Sequence, residues 1–389
     1  MPENKSTKKH SSATTARGKL FIYGELPLTS FMKFVKSKNI DINEVVKVLK
    51  QGGLVVYPTE TLYGIGADAT NTIAIEKLTK YKNRPFGKPY SIAVTGQKMA
   101  EEYVELNDSA KNLYKEFLPG PLTIISKGRH KVAPGVESED GTLGIRIPDY
   151  KLVIDIVQKF GKPITSTSAN ASYKKRPYKA SDILENISDR QKKLIDLIID
   201  AGTLPIREPS TVVDTTFDEG VTLRQGEIKF SDKNEILSQS EENTQNLAKE
   251  IWQKYEMHKS RRAIVFALQG EMGAGKTIFT KGLARGMGIT DLVTSPTFAL
   301  ENEYQTGRDK LYHLDAWRME KTDELRALGF EALIKNKSVI SIEWAERVSD
   351  TIREFDDEAI IIWVKIEFLP AQADGKTENE RKISWGITQ

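Results

Sequence analysis

The chain has 389 residues, 39% apolar and 29% charged, a length for two or three domains and a composition that supports packed cores rather than wholesale disorder. Its net charge is +3, of which the first twenty residues carry +4 and the remainder −1, so the basic excess belongs to a tail and not to a nucleic-acid-binding domain surface. Cysteine is absent and the four histidines (His10, His130, His258, His313) are scattered, which excludes disulfides, thiol catalysis and cysteine-ligated metals and argues against a histidine-rich metal centre; the longest apolar runs, at 263–268 and 359–364, fall far below the ~20 residues of a membrane span, and no apolar leader is seen.

Residues 1–18 are polar, basic and Ser/Thr-rich, and predict a disordered basic tail. Residues 19–40 form a lead-in with a helical stretch near 30–36. From 41 to 230, short β-rich runs alternate with amphipathic ones. Strands are predicted at 54–57, 91–94, 122–125, 143–147, 163–165, 197–200, 211–215 and 221–224, and helices at 43–51, 72–81, 109–117, 150–160 and 181–187. This alternation predicts an α/β domain with a mixed sheet. The polar stretch 231–245 marks a domain boundary. A helix opens at 240–242 and runs to Tyr255. A second α/β unit then spans 240–370, with strands at 263–268, 297–303, 311–315, 339–342 and 359–366 and helices at 276–287 and 322–328. The tail beyond 369 is polar and expected to be loose.

Residues 270–277, GEMGAGKT, fit G-x-x-x-x-G-K-[ST] position for position. Glycines let consecutive backbone N–H groups converge on phosphate oxygens, and the following helix adds its positive end. Lys276 would reach the β/γ-phosphates and Thr277 would hold Mg²⁺. A glycine-rich turn with a coincidental lysine is the competing explanation. The apolar β-rich run before the motif and the helical stretch after it favour the phosphate loop. Asp315 and Glu343 each end an apolar run, at the strand C-termini where parallel-sheet sites collect. Residues 295–298, SPTF, lie where a phosphate-sensing switch would sit, or form a plain proline turn.

In this order and at these spacings, GEMGAGKT, SPTF, YHLDAWR and IEW resemble the TsaE family of P-loop ATPases of bacterial tRNA threonylcarbamoyladenosine biosynthesis. The resemblance covers about 240–370. It implies Mg-ATP binding at Gly273, Ala274, Gly275, Lys276 and Thr277, with Thr277 and Glu343 near Mg²⁺. It also implies Asp315 as the acidic catalytic position, likewise near the metal, Thr244 near the nucleotide, and a partner complex of the TsaB and TsaD type.

In the first unit, hydroxyl-rich loops follow strands, and an isolated Lys-x-Arg pair, Lys82 and Arg84, offers an anion site. Residue chemistry alone goes no further. Taken together, PTETLYG (58–64), KNRP (82–85), LPGPLT (118–123), GIRIP (144–148), STSAN (166–170), PSTVVD (209–214) and RQG (224–226) resemble the YrdC-like family, whose TsaC members are threonylcarbamoyl-AMP synthases. The resemblance spans about 41–230. It implies a twisted open sheet with a concave basic cavity, and formation of threonylcarbamoyl-adenylate and pyrophosphate from L-threonine, bicarbonate and ATP. The family signature maps onto Lys82, Arg84, Ser168 and Asn170. Thr59, Arg146, Ser210 and Arg224 are further expected substrate contacts. Such chemistry needs fixed cations and donors rather than a covalent intermediate.

Some features depart from the pattern. STSAN continues as Ala171-Ser172-Tyr173 where relatives commonly carry Ser-Gly, and KPYSIAV (88–94) replaces a more usual Pro-Leu run. The P-loop unit stands where longer synthases carry another C-terminal domain. The expected fold class is therefore α/β, a YrdC-like twisted open mixed-sheet domain followed by a P-loop NTPase-type α/β domain. The expected protein is cytoplasmic, with no membrane contact and with tRNA bound indirectly or weakly. The alternative is an RNA-binding YrdC-like module with a nucleotide-gated docking domain. A serine-hydrolase reading lacks a base, because His130 is the lone histidine of the first unit. Carbamoyl transfer for metallo-cofactor maturation would need cysteine-rich modules.

Overall fold

A computed structural model describes residues 32–387 apart from 85–87, 173, 217–219, 230–233, 308, 321, 357 and 370–379. The basic tail expected at 1–18 lies outside the described residues. Among the described residues, nineteen strands build three sheets. The N-terminal half contains β1 (Lys33–Lys36), β2 (Val55–Tyr57), β3 (Gly64–Gly66), β4 (Ile92–Ala93), β5 (Val104–Glu105), β6 (Leu122–Gly128), β7 (Thr142–Arg146), β8 (Ile164–Thr165), β9 (Thr167–Ser168), β10 (Leu197–Asp200), β11 (Thr211–Asp214) and β12 (Val221–Arg224). The C-terminal half contains β13 (Asn234–Ser238), β14 (Ala263–Gln269), β15 (Glu301–Thr306), β16 (Asp309–Asp315), β17 (Val339–Glu343), β18 (Ala359–Phe368) and β19 (Arg381–Gly386).

The first sheet has the order β1-β10-β2-β3-β9 and the second β12-β11-β6-β7-β4-β8, with β5 added beside β6. Both mix parallel and antiparallel pairs. The two sheets meet where β8 and β9 follow each other with only Ser166 between them. β8 pairs with β4 of the second sheet and β9 with β3 of the first. Ser166 donates its backbone N–H to Ser91 O at 2.7 Å at this crossing. The hydroxyl-rich 166–170 loop is therefore the hinge between sheets, and this places it at the head of a concavity.

Capping fixes the helices. Asp41, Asn71, Asn107 and Ser240 each accept a backbone N–H bond at the start of the helices Ile42–Lys50, Thr72–Lys82, Asp108–Phe117 and Glu241–Tyr255. Valines and isoleucines at helical spacing bury one face of Ile42–Lys50 and one of Lys151–Phe160 in a shared core with Tyr57 and β10.

The third sheet runs β13-β19-β18-β14-β17-β16-β15. β18, β14, β17 and β16 are parallel, and the apolar runs of β14, β17 and the first six residues of β18 are buried. The helix Glu241–Tyr255 lies against the helix Lys276–Gly286, and the two share a core with one face of β14 and β18. Val212, Val221 and Leu223 of the N-terminal half belong to the same buried cluster, so an apolar seam joins the halves. Ion pairs flank it. Arg261 Nε lies 2.6 Å from Asp140 Oδ2 and its Nη1 3.3 Å from Asp214 Oδ2.

Four expectations are corrected. The stretch expected to be helical near 30–36 contains a strand, β1, whose KFVK pairs parallel with β10 and whose lysines pair with Glu44 and Asp200. Part of the polar 231–245 boundary is β13, and part of the tail expected to be loose is β19. The two are antiparallel partners nearly 150 residues apart. Ladder hydrogen bonds hold such a polar edge, and these leave no hydrophobic period in the sequence. The strand expected at 297–303 begins four residues later, at Glu301.

Gly282 marks the tightest helix–helix approach. A Cβ there would sit 2.3 Å from Gln245 O and 2.6 Å from Gln245 Cα. Backbone cannot yield as a flexible side chain does. Gly282→Ala is therefore expected to destabilise by about 2 kcal/mol despite better helix propensity, lowering the thermal midpoint by about 5 °C in calorimetry. An unchanged or raised midpoint contradicts this packing.

Candidate functional sites

The N-terminal half holds a basic cavity of about 180 Å³ at the junction of its two sheets. Lys82 ends the helix Thr72–Lys82. Asn83 follows in the left-handed region (φ 47°), which Asn tolerates, and turns the chain so that Arg84 also faces the cavity. Lys82 is buried. Its Nζ donates to Ser168 O at 2.8 Å and Asn170 O at 2.6 Å, so it ties the helix end to the sheet-crossing loop. Burial, then the neighbouring Arg84 and Lys88, push its pKa well below the usual lysine value. Arg84 stacks over the Tyr90 ring at 4.5 Å and donates to Pro89 O at 2.9 Å.

Arg146 lines the same cavity from the end of β7 and is paired to Glu60 at 2.5 Å, both side chains nearly buried. Ser210 shares a hydrogen bond with Thr123 at 2.9 Å, and Arg224 donates to the Ser210 carbonyl and hydroxyl. Burial and nearby arginines bring Arg224 down to about 9, so it remains charged at neutral pH. Asn170 donates to Lys174 O at 2.6 Å, while its buried Oδ1 has no hydrogen-bond partner among the described residues. Lys82, Arg84, Arg146, Ser168, Asn170, Ser210 and Arg224 thus converge on one cavity. Thr59 does not line it. Its hydroxyl accepts from the Thr61 and Leu62 N–H groups and donates to Leu62 O, shaping the loop that presents Thr61 and Leu62.

The second site lies at the carboxyl ends of β14, β16 and β17. Gly270, Gly273 and Gly275 have φ of 146°, 77° and 113°, a backbone that residues with a Cβ rarely adopt. Lys276 Nζ donates to Gly270 O and Glu271 O at 2.7 and 2.8 Å and lies 3.8 Å from the centre of the Trp344 ring. Burial lowers its pKa, against the opposing pull of Glu343. Thr277 Oγ1 donates to Glu343 Oε1 at 2.7 Å. Asp315 stands opposite Glu343 in the β16/β17 register, and both are buried. Asp315 accepts from Thr297 Oγ1 at 2.8 Å and from Trp317 N at 2.7 Å, which links the 295–298 turn to the acidic strand end. Thr244 hydrogen-bonds Ser238 at 2.8 Å and lines a groove with Gly273, Ala274 and Gly275.

Sequence reasoning missed several members. His313 is fully buried with Nε2 2.9 Å from Glu343 Oε1. It sits two residues before Asp315, on the same face of the strand. Glu60, the partner of Arg146, lay inside a quoted motif but in the role of spacer. Arg262, Glu354, Asp356 and Glu358 line the N-terminal cavity from the C-terminal half, and no local pattern announces them. Glu358 lies 3.1 Å from Lys88 Nζ, and Asp356 lies 3.6 Å from Arg176 Nη2. Burial brings Lys88 down to about 7 against the pull of Glu358, and pushes Asp356 up to about 6 against Arg176 and Arg224.

Comparison with known proteins agrees with this division. Residues 47–226 match the Sua5/YciO/YrdC family model, described as telomere recombination, and residues 238–377 match the model for threonylcarbamoyl adenosine biosynthesis protein TsaE. A putative threonylcarbamoyl-AMP synthase of Methanocaldococcus jannaschii is 37% identical over 205 residues, covering 50% of this chain and 94% of that protein. The threonylcarbamoyl-AMP synthase of Bacillus subtilis is 34% identical over 189 residues, 48% of this chain and 54% of that protein, so the chain spans about half of its length. The crystal structure of Escherichia coli YciO aligns with 51% of this chain and 96% of its own at 28% identity and a TM-score of 0.45. The chain belongs to the Sua5/YciO/YrdC family through its N-terminal half and carries a TsaE domain fused behind it.

Proposed function

We propose that this is a bifunctional protein of tRNA threonylcarbamoyladenosine biosynthesis. Its domains are a threonylcarbamoyl-AMP synthase at 41–230 and an ATP-hydrolysing domain at 240–370. The observation that carries the first assignment is the convergence of Lys82, Arg84, Arg146, Ser168, Asn170, Ser210 and Arg224 on one basic cavity. In the reaction, L-threonine first takes up bicarbonate to give N-carboxythreonine with loss of water. An oxygen of the new N-carboxylate (carbamate) then attacks the α-phosphorus of ATP. The new P–O bond gives the adenylate, and the bond to pyrophosphate breaks.

Charge grows on the leaving pyrophosphate, and fixed cations stabilise it without rearranging. Arg84, backed by the Tyr90 ring, and Arg224, braced on Ser210, present guanidinium groups suited to phosphate oxygens. Lys82 spends its donors on the 168–170 loop and contributes charge from the cavity wall. Ser168 and Asn170 orient threonine and nucleotide, the unpartnered Asn170 Oδ1 being an acceptor suited to an ammonium, amide or hydroxyl donor. Arg146 is held in one place by Glu60. Thr59 acts through the loop that it shapes.

In the second site, Lys276 is poised to leave the loop carbonyls for the β/γ-phosphates, and the N–H groups of Gly273 to Thr277 cradle them. The hydroxyl of Thr277 and the carboxylates of Glu343 and Asp315 form a hard-oxygen donor set that fits Mg²⁺, which when bound neutralises phosphate charge. Asp315 is the catalytic acidic group, and Thr244 contacts the nucleotide. This domain serves a transferase complex of the TsaB and TsaD type, which moves the threonylcarbamoyl group to tRNA, and the chain itself touches tRNA weakly. No described helix is long and apolar enough to cross a membrane, and a cytoplasmic location goes with a tRNA pathway.

Purified protein given ATP, Mg²⁺, L-threonine and bicarbonate is expected to release pyrophosphate and threonylcarbamoyl-adenylate only when both threonine and bicarbonate are present. Arg84→Ala should lower kcat/KM of that reaction by about 100-fold, as losing a transition-state cation does. Absence of adenylate under every condition overturns the synthase assignment. In the same preparation, Lys276→Ala is expected to abolish ADP release measured by a coupled assay. ADP release that survives the substitution removes the P-loop from the hydrolysis.

A further inference from the structure

The wall of the basic cavity is shared between the halves. Arg262 immediately precedes β14 and Glu358 immediately precedes β18. The register Ala263↔Ala359 sets the two side by side at the amino ends of neighbouring parallel strands. Both line the cavity. Glu358 is satisfied by Lys88. Arg262 is not: its buried Nη1 has no hydrogen-bond partner among the described residues. Its charge lies close enough to Arg84, Lys88 and Arg224 to depress or be depressed by theirs, with Glu358 the main compensating neighbour.

A buried donor without an acceptor is costly, and a guanidinium cannot escape that cost by losing its proton. The position therefore suits an anion that arrives with the substrate. A guanidinium fork set beside two further arginines matches the several oxygens of a polyphosphate, which a single carboxylate does not fill.

We propose that Arg262, supplied by the TsaE domain, is a ligand for the polyphosphate chain in the synthase cavity, and that Glu358 holds the place of that anion in the substrate-free protein. The inference rests on the synthase reading above. It makes the synthase site composite, with the fused domain contributing one attractive group and one competing group.

The test uses the full chain carrying Lys276→Ala, which disables the P-loop. Calorimetry measures the Kd of an ATP analogue with a methylene at the α,β-bridge, and a pyrophosphate assay measures the KM of ATP and of threonine. Arg262→Gln is expected to raise the Kd and the ATP KM about tenfold, with the threonine KM within twofold. Arg262→Lys should recover part of the loss. Glu358→Gln is expected to move the Kd the other way, lowering it about threefold. Opposite signs separate a ligand and its competitor from an interface that has merely loosened, which would weaken binding in both variants. An analogue Kd unchanged by Arg262→Gln, a shift of the same sign in both variants, or no analogue binding at all overturns the proposal. Binding that responds to Arg262 without any adenylate formed counts against the synthase reading alone. Adenylate formation indifferent to Arg262→Gln counts against Arg262 alone.

Discussion

Concentrated positive charge, held in one partly buried cavity, is the constraint to which the N-terminal half answers. Seven cationic side chains line it among the described residues, against three carboxylates. At an effective dielectric of about 20, two like charges 4 Å apart repel by about 4 kcal/mol, more than a single surface ion pair returns. Most of these cations are accordingly braced. Glu60 holds Arg146, the Ser210 carbonyl holds Arg224, Tyr90 backs Arg84, and the loop carbonyls of Ser168 and Asn170 hold Lys82. The braces come from loops that the sheet crossing at Ser166 brings together. Fold and electrostatics are in this sense one solution: the two sheets diverge where the cations need walls.

The C-terminal half answers the opposite demand. Its loop carries the positive ends of backbone dipoles, and its acidic groups, Glu343 and Asp315, lie one and two strands away. Thr277 and His313 both reach the same Glu343 oxygen, and Asp315 is held by Thr297 and a backbone N–H. The P-loop, Asp315 and Glu343 follow or end strands at their carboxyl ends, as in an open parallel sheet. That arrangement leaves the amino ends of β14 and β18 free, and these ends meet the synthase cavity. From Arg262 to Gly270 is eight residues of extended chain, about 26 Å. One strand, buried from Ala263 to Leu268, therefore runs from the basic cavity to the glycine-rich loop.

How much of this was legible depends on how local the determinants are. The P-loop is readable because glycine conformation, lysine and threonine lie within eight consecutive residues, and the apolar run before them predicts the strand that positions them. The N-terminal cavity is readable as a set of ordered loops, since each motif follows a strand and carries its own cation or hydroxyl. Thr59 shows the limit. Its motif is at the site, yet its hydroxyl turns back to its own backbone, a choice made by hydrogen-bond geometry that no pattern of residue types encodes. The β13–β19 pairing and the Glu60–Arg146 pair were illegible for a different reason. Both join residues far apart in the chain through polar contacts, which leave no periodicity.

The interface between the halves was the least legible feature, and its composition explains why fusion matters physically. Val212, Val221 and Leu223 give the seam its apolar content, and Asp140 and Asp214 anchor Arg261 beside it. These contacts set the orientation. Arg261 turns to those anchors, while its neighbour Arg262 turns to the cavity. Both lie in the turn just before β14, their N–H groups donating to the same His258 carbonyl, so fixing Arg261 on Asp140 and Asp214 also steadies the backbone that presents Arg262. The turn carrying Glu354, Asp356 and Glu358 is placed by the same register, because β18 lies beside β14. This surface sets one cation and three carboxylates against the cavity. Two of the carboxylates meet cations of the N-terminal half there, Glu358 with Lys88 and Asp356 with Arg176. The cavity's excess positive charge, as well as the apolar seam, therefore sets where these acidic groups stand.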